Sequence, residues 1–477
     1  MRLRPFRLVP ALVAVMLLIV PAFAFAQDAP SDSDIAVNTI WVIVAAILVL
    51  FMQAGFAMLE VGLSRMKNAG AVMGKILINL SVSFIVFWAV GFAFAFGNGN
   101  GFLGHDGWFL EDGFGSFSSL SFAAVNFEVT FFFQCVFAAV SLAIVFGTML
   151  DRTKFAAYIA FGIIYIGLIY PIVAHWTWGG GWLYEDGFLD FAGSSIVHLQ
   201  GALAALAGTI VLGPRIGKFK DGKATPIPGH SIPLAVLGVI ILWVGWMGFN
   251  PGSFLGAIGA NFADVAVNTN LAAAAGVIGA TIASLLVFKT LDVSQMGNGA
   301  IAGLVAITAP CAFIDAWACV IVGLVAGLIV PPIVVAVDKL KVDDPIGALP
   351  AHGVSGIWGT LAIGLFCVPE RAAGAEGLLV GGDGHQLWVQ FYGMAATVGF
   401  TLTACFIAFY LIKYTIGLRV SESHELAGLD ITEHGMFGYP ERFIDVIGAE
   451  SEDGSPSAPT SAAPAGTATA TSPATAS

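Results

Sequence analysis

The chain has 477 residues, 58% of them hydrophobic and only 10% charged, with a mean hydropathy of +0.89. A soluble domain carries about 25% charged residues, so the water-soluble classes are excluded and a polytopic membrane protein is indicated. The formal net charge is −12 from 19 basic and 31 acidic residues, and their placement along the chain orients it.

Residues 1–26 read as a secretory signal. Arg2, Arg4 and Arg7 precede an apolar run over 8–25, and Ala24-Phe25-Ala26 has the small-residue form of a cleavage site. The mature chain is expected to begin near Gln27; the alternative is an uncleaved first helix. Beyond it, apolar segments of about 20 residues can each cross a bilayer as a helix. Eleven are predicted, over 37–61, 70–96, 121–149, 155–173, 194–213, 232–251, 268–289, 298–314, 316–337, 349–368 and 387–413, and only Asp315 separates the eighth from the ninth. The high glycine content, 58 residues, points to closely packed helices rather than disorder.

The odd-numbered links hold the cations, among them Arg65, Lys67, Arg152, Lys154, Arg215 and Lys218. The even-numbered links hold only Arg371 but many acids, including Asp106, Glu111 and Glu185. Lys and Arg favour the cytoplasmic side, so the mature N-terminus is predicted outside and the C-terminus inside. The fold class is therefore an all-α polytopic membrane protein: two inverted five-helix repeats plus a final helix, N-out/C-in. Beyond a His in a Gly-rich setting, no identity between the halves is evident at this level. Residues 27–413 form the transmembrane domain. Residues 414–446 mix charges with spaced apolar residues and are expected to dock on the cytoplasmic face as a regulatory segment. Residues 447–477 are rich in Ala, Ser, Thr and Pro and lack the apolar residues for a core, which predicts disorder.

The chemistry-bearing residues stand out against this background. His198 and His352 each lie in an apolar span, where an ionisable side chain is costly and marks a functional site by default. Each falls in the last helix of its half. Inverted repeats place a shared site near the midplane, where the two rings could meet. Trp178 opens a Trp-Gly-Gly-Gly turn; its ring can attract a cation, although interfacial Trp is also a common membrane anchor. Asp190 can cap the fifth helix or add negative potential for a cation. Glu128 is assigned to the outer rim or a partner-facing surface, and Glu60 to a structural pairing with Arg65 or Lys67. Cys135, Cys311, Cys319, Cys367 and Cys405 form no metal-ligand cluster and read as small buried hydrophobes. No nucleophile–base pair, HExxH or phosphate loop is present, so neither an enzyme nor a cofactor or metal is expected.

The runs FMQAGFAMLEVGLSRMKN, FFQCVFA, AHWTWGGG, DFAGSSIVH, WVGWMGFNPGSF, GAIAGLVAITAPCAFI, DDPIGALPAHGVSGIWG and GLRVSESHELAGLDITEHG occur in order over about 37–437. Together they resemble the ammonium transporter/methylammonium permease/Rhesus superfamily, in its bacterial ammonium transporter branch. The resemblance implies an outer substrate-binding vestibule built from Trp178, Phe133 and Ser253. It implies a gate of two stacked rings, Phe137 and Phe249, and a pore lined by the twin histidines His198 and His352, acting as proton relay, with Trp246 on the wall. Asp190 takes a structural and electrostatic role. Ammonium would bind outside and lose a proton, and ammonia would cross the pore with separate proton transfer. The resemblance also implies a homotrimer in the bacterial inner membrane and a cytoplasmic P-II-type partner protein, with no nucleic acid. The alternatives are an ammonium sensor and a neutral-gas channel of Rhesus type. Two departures stand out. Ser194-Ser195 replaces a Gly-Gly or Gly-Thr pair, and HGMFGYPERF extends beyond a shorter HGE-type ending.

Overall fold

The computed structural model describes residues 30–440. The expected signal segment 1–26 and the tail 447–477 lie outside the described residues. Among the described residues, ten helices are long and apolar enough to cross a membrane. They are α1 Asp32–Leu63, α2 Met66–Phe96, α3 Phe127–Gly147, α4 Phe155–Glu185, α5 Ser194–Leu212, α6 Ile232–Gly252, α7 Phe262–Phe288, α9 Ala316–Lys339, α10 Leu349–Phe366 and α11 His385–Thr415. Between α7 and α9 lies α8, Val293–Thr308, of 16 residues; at 1.5 Å per residue it is about 24 Å long, short of a full bilayer core.

Several boundaries differ from those expected, each for a local reason. The eighth helix was expected over 298–314. Asp292 starts it earlier by accepting from Ser294 N at 2.8 Å, and it stops before Pro310, which has no N–H to continue the ladder. The third helix begins at Phe127 rather than 121, because residues 113–121 coil into short 3-10 turns. The fourth passes the expected end at 173. A wide turn at Tyr165–Ile169 precedes Pro171, regular helix runs on to Thr177, and a short final turn at Trp182–Glu185 ends α4.

The helices pack as two related halves. α1 lies against α6, the first helix of each half. Within the halves α1–α3 corresponds to α6–α8, α2–α4 to α7–α9, and α3–α5 to α8–α10, while α11 closes against α5 and α10. Glycines permit the closest approaches: a Cβ on Gly238 of α6 would collide with the Leu59 backbone of α1. In lipid such van der Waals packing is the main force between helices. All five cysteines are buried and free, which is the packing role expected of them.

The face carrying Arg65, Arg152 and Arg215 is tied together by buried ion pairs. Asp343 receives Arg215 through Nε and Nη2, both at 2.9 Å, and through the Arg215 backbone N at 2.8 Å. Asp151 receives Arg65 Nε at 2.8 Å and Arg215 Nη1 at 3.4 Å. The described part of the C-terminal segment packs here through two short helices, α12 Glu422–Ala427 and α13 Leu429–His434. Glu425 is fully buried; it accepts from Ile216 N at 2.7 Å and Arg419 Nη2 at 2.6 Å. Asp430 accepts from Ala71 N at 2.8 Å, so it caps the start of α2.

One expected pairing is corrected. Glu60 does not meet Arg65 or Lys67. It pairs with Lys75 one helix away, because Lys67 turns outward to the carbonyls of Glu425 and Leu426 and Arg65 is held by Asp151. Glu128 is exposed in the first turn of α3, as either the rim or a partner-facing surface requires.

Burial alone would raise the Asp343 carboxyl, but the hydrogen bonds from Arg215 and the charges of Arg152 and Arg215 outweigh it and hold it below 3.8. A depressed carboxylate stabilises the fold above its ordinary value and loses that contribution as pH falls through its folded value. Asp343→Asn is therefore expected to cost on the order of 3–5 kcal/mol at neutral pH by stranding buried arginines. Thermal unfolding in detergent should show this gap to the parent protein closing below about pH 4. A gap that stays constant down to pH 3 would contradict the assignment.

Candidate functional site

α5 and α10 begin inside the protein, and the way they begin places the site. A helix start leaves backbone N–H groups without partners, and in an apolar setting these must be satisfied. Asp190 accepts from Gly193 N at 2.7 Å, Ser194 N at 3.0 Å, Ser195 N at 2.7 Å and Ile196 N at 3.2 Å. Asp344 does the same for α10, accepting from Ile346, Gly347, Ala348 and Leu349 at 2.8–3.3 Å. Of the two readings offered for Asp190, the cap is the one the geometry carries. Burial pushes its carboxyl up to about 6, against the pull of those four N–H groups. Burial likewise raises Asp344.

Each cap is followed by one wide helical turn, Ser194–Leu199 and Leu349–Val354, that carries the histidine. The caps share one pattern: Asp190-x2-Gly193-x4-His198 and Asp344-x2-Gly347-x4-His352. Gly193 and Gly347 both take positive φ, +112° and +74°. The reading that the halves share no identity is thus corrected. Three residues at equal spacing are a signal the sequence carries, and only their common geometry makes it stand out.

The two histidines meet. His352 Nδ1 lies 3.4 Å from His198 Nδ1, and the rings stack with centroids 5.4 Å apart and 23° between planes. Both are buried. A single proton must lie between two such nitrogens, so the neutral rings take opposite tautomers. One Nε2 then carries hydrogen and the other a lone pair. The pair offers a donor and an acceptor to anything beside it, and His198 Nε2 has no partner among the described residues. Trp246 forms the wall: its ring lies 5.2 Å from His198, and its Nε1 donates to Thr308 Oγ1 at 2.9 Å. Thr308 was not singled out from the sequence, because nothing in a lone Thr on an apolar helix marks it.

Above the histidines stand two phenyl rings. Phe137 and Phe249 stack at 3.9 Å and 18°, and Phe249 lies 5.5 Å from His198. Phe133, one turn before Phe137 on α3, contacts it at 4.6 Å. Beyond them opens a chamber of about 520 Å³, bordered by Phe133, Phe137, Trp178, Asp190 and Ser253. Trp178 sits 6.3 Å from Phe137 and donates its indole N–H to Asp190 O at 2.7 Å, which leaves the ring face for the chamber. Ser253 Oγ donates to Phe249 O at 2.8 Å and keeps its lone pairs. Every residue predicted for the site is therefore brought onto one path: Trp178, Phe133 and Ser253 at the chamber, Phe137 and Phe249 closing it, His198, His352 and Trp246 beneath, and Asp190 holding α5.

The ammonium transporter family model matches residues 40–439. The chain belongs to the ammonium transporter family. It is 41% identical over 455 residues to ammonium transporter Amt2 of Archaeoglobus fulgidus, covering 91% of this chain and 95% of that protein. It is 35% identical over 407 residues to the ammonium transporter of Bacillus subtilis, covering 85% and 98%. Among solved structures it resembles a sensor Amt protein, with a TM-score of 0.77 and 35% identity over 84% of this chain and 99% of that one. It also resembles Candida albicans Mep2, with a TM-score of 0.75 and 31% identity over 81% and 87%. The chain is thus a multi-pass membrane protein of that family.

In this member of the ammonium transporter family, Gly193 is where the cap, the histidine turn and the chamber meet. A Cβ there would lie 2.6 Å from Val197 Cγ2 and 3.1 Å from Trp178 Cη2, at a φ that costs an L-residue about 1–3 kcal/mol. Gly193→Ala is expected to lower the thermal unfolding midpoint and shift the tryptophan fluorescence. Gly399→Ala, in open space on α11, should be neutral or stabilising by about 0.5–1 kcal/mol. Equal effects of the two would show that the Trp178–Gly193 contact is unimportant.

Proposed function

We propose that the protein carries ammonium across the membrane by binding the ion, removing a proton and conducting ammonia past the twin histidines. The observation that supports this best is the order of groups along one path: a cation-attracting chamber, a stacked phenyl closure, then a buried imidazole pair with an unpartnered Nε2. A bare ion in an apolar passage is prohibitively costly, whereas ammonia is neutral and can exchange hydrogen bonds with a donor and an acceptor. The aromatic faces of Trp178 and Phe133 attract the cation, and Ser253 supplies lone pairs. Cation–π attraction alone barely separates ammonium from potassium. Loss of a proton does, since potassium has none to give. The proton crosses separately through the histidine pair.

In this reading the chamber faces the outside of a bacterial inner membrane, α8 completes eleven crossings, and the ion-paired basic face is cytoplasmic. The chain assembles as a homotrimer with one pore per subunit. Segment 414–446 regulates the pore through its docked helices α12 and α13, and a P-II-type signalling protein is the partner expected at that face. A second reading, an ammonium sensor, is favoured by the likeness to a solved sensor Amt protein and by the close docking of α12 and α13. Growth of a transport-deficient strain on low ammonium separates the two, since only a transporter restores it.

The pore assignment is tested with purified protein in liposomes. The double variant His198→Ala, His352→Ala is expected to lower ammonium current by about tenfold or more, the loss that about 1.4 kcal/mol brings, and to reduce selectivity over potassium. Unchanged ammonium current with unchanged selectivity would rule out the twin-histidine role.

A further inference from the structure

Two residues that line the chamber each carry a buried side-chain atom with no partner among the described residues. Gln134 follows Phe133 on α3 and is 8% exposed; Thr177 precedes Trp178 on α4 and is 3% exposed. Gln134 Oε1 and Thr177 Oγ1 are both buried without a hydrogen bond, and both residues line the chamber. Buried acceptors left unpaired are uncommon, because each forfeits its hydration with nothing in return. Two of them in one chamber, each next in sequence to an aromatic ring that faces it, point to a ligand that supplies hydrogen.

The polar groups nearest the aromatic rings are already committed. Both carboxylate oxygens of Asp190 receive backbone N–H groups of α5. The Trp178 N–H goes to Asp190 O, and the Ser253 hydrogen goes to Phe249 O. An ammonium ion has four N–H donors and loses its water on entering. The aromatic faces offset charge but accept few directed hydrogen bonds, and Ser253 serves one donor.

We infer that Gln134 Oε1 and Thr177 Oγ1 accept hydrogen bonds from the captured ammonium ion and thereby set the preference of the chamber for cations with several N–H donors. The inference rests on the capture reading above and adds specificity residues to it. Thr177 is free to turn its lone pairs toward the ion, and the Gln134 amide can present its oxygen by rotation. Beside Ser253, methylammonium with three N–H donors can still satisfy both acceptors, whereas dimethylammonium with two leaves one unmet, and an unmet buried acceptor discriminates strongly.

The test uses the full chain in liposomes and records ammonium current with methylammonium and dimethylammonium as competitors, which carry three and two N–H donors. Thr177→Val and Gln134→Leu are each expected to raise the half-saturating ammonium concentration about tenfold, as loss of a charged hydrogen bond does. The maximal current should stay within about twofold. The spread in competition between the three cations should narrow, and Thr177→Ser should restore it. An unchanged half-saturation in both variants overturns the inference. So does an equal loss of maximal current with all three cations and no narrowing, which assigns the residues to packing alone. Trp178→Leu separates this from the capture reading. If it weakens ammonium binding while Gln134→Leu and Thr177→Val do not, capture stands and the added residues fall. If Trp178→Leu also leaves binding unchanged, the capture reading itself falls.

Discussion

Two carboxylates begin two helices in the middle of the protein, and the site depends on them. A chain in an apolar surround cannot leave backbone N–H groups bare. Asp190 and Asp344 each accept four such groups, which allows α5 and α10 to start where the two halves meet. Five residues after each capped glycine comes the histidine, within one wide turn. The Nδ1–Nδ1 distance of 3.4 Å therefore follows from cap geometry repeated twice and related by the inverted packing of the halves.

The aromatic column above the histidines is a consequence of the same placement. Asp190 serves two purposes, since its side chain caps α5 and its carbonyl holds the Trp178 indole. That contact orients the ring face toward the chamber, and Gly193 leaves room for it. Phe133 and Phe137 come from one face of α3, four residues apart, and Phe249 comes from α6, so the closure is assembled from both halves. Stacked rings at 3.9 Å leave no space for a hydrated ion.

The opposite face is held by charge rather than by aromatic packing. Arg215 engages Asp343 through two nitrogens of its guanidinium fork, which gives directional as well as electrostatic strength. Glu425 joins the network from the C-terminal segment, and Asp430 caps α2. The segment after the last helix is thereby tied to the membrane-spanning helices through Glu425 and Asp430.

Much of this was legible in the amino-acid order. The apolar spans, the basic links and the two misplaced histidines follow from the cost of polar groups in hydrocarbon, which acts on each residue locally. The site residues Trp178, Phe133, Phe137, Phe249 and Ser253 could be named because they stand in dense runs of matching motif. Other features were not legible, and the reasons are physical. Glu60 had three cations within reach along the chain, and only the crossing of α1 and α2 selects Lys75. The Asp-x2-Gly-x4-His repeat looks accidental until both copies cap a helix. Gln134 and Thr177 are unremarkable polar residues in sequence, and only the fold leaves their buried oxygens without a partner among the described residues. Sequence thus decides what each segment can afford to bury, since burial cost is a property of the residue. Tertiary structure decides which groups meet and which are left unpaired, since that depends on contacts between segments far apart in the chain.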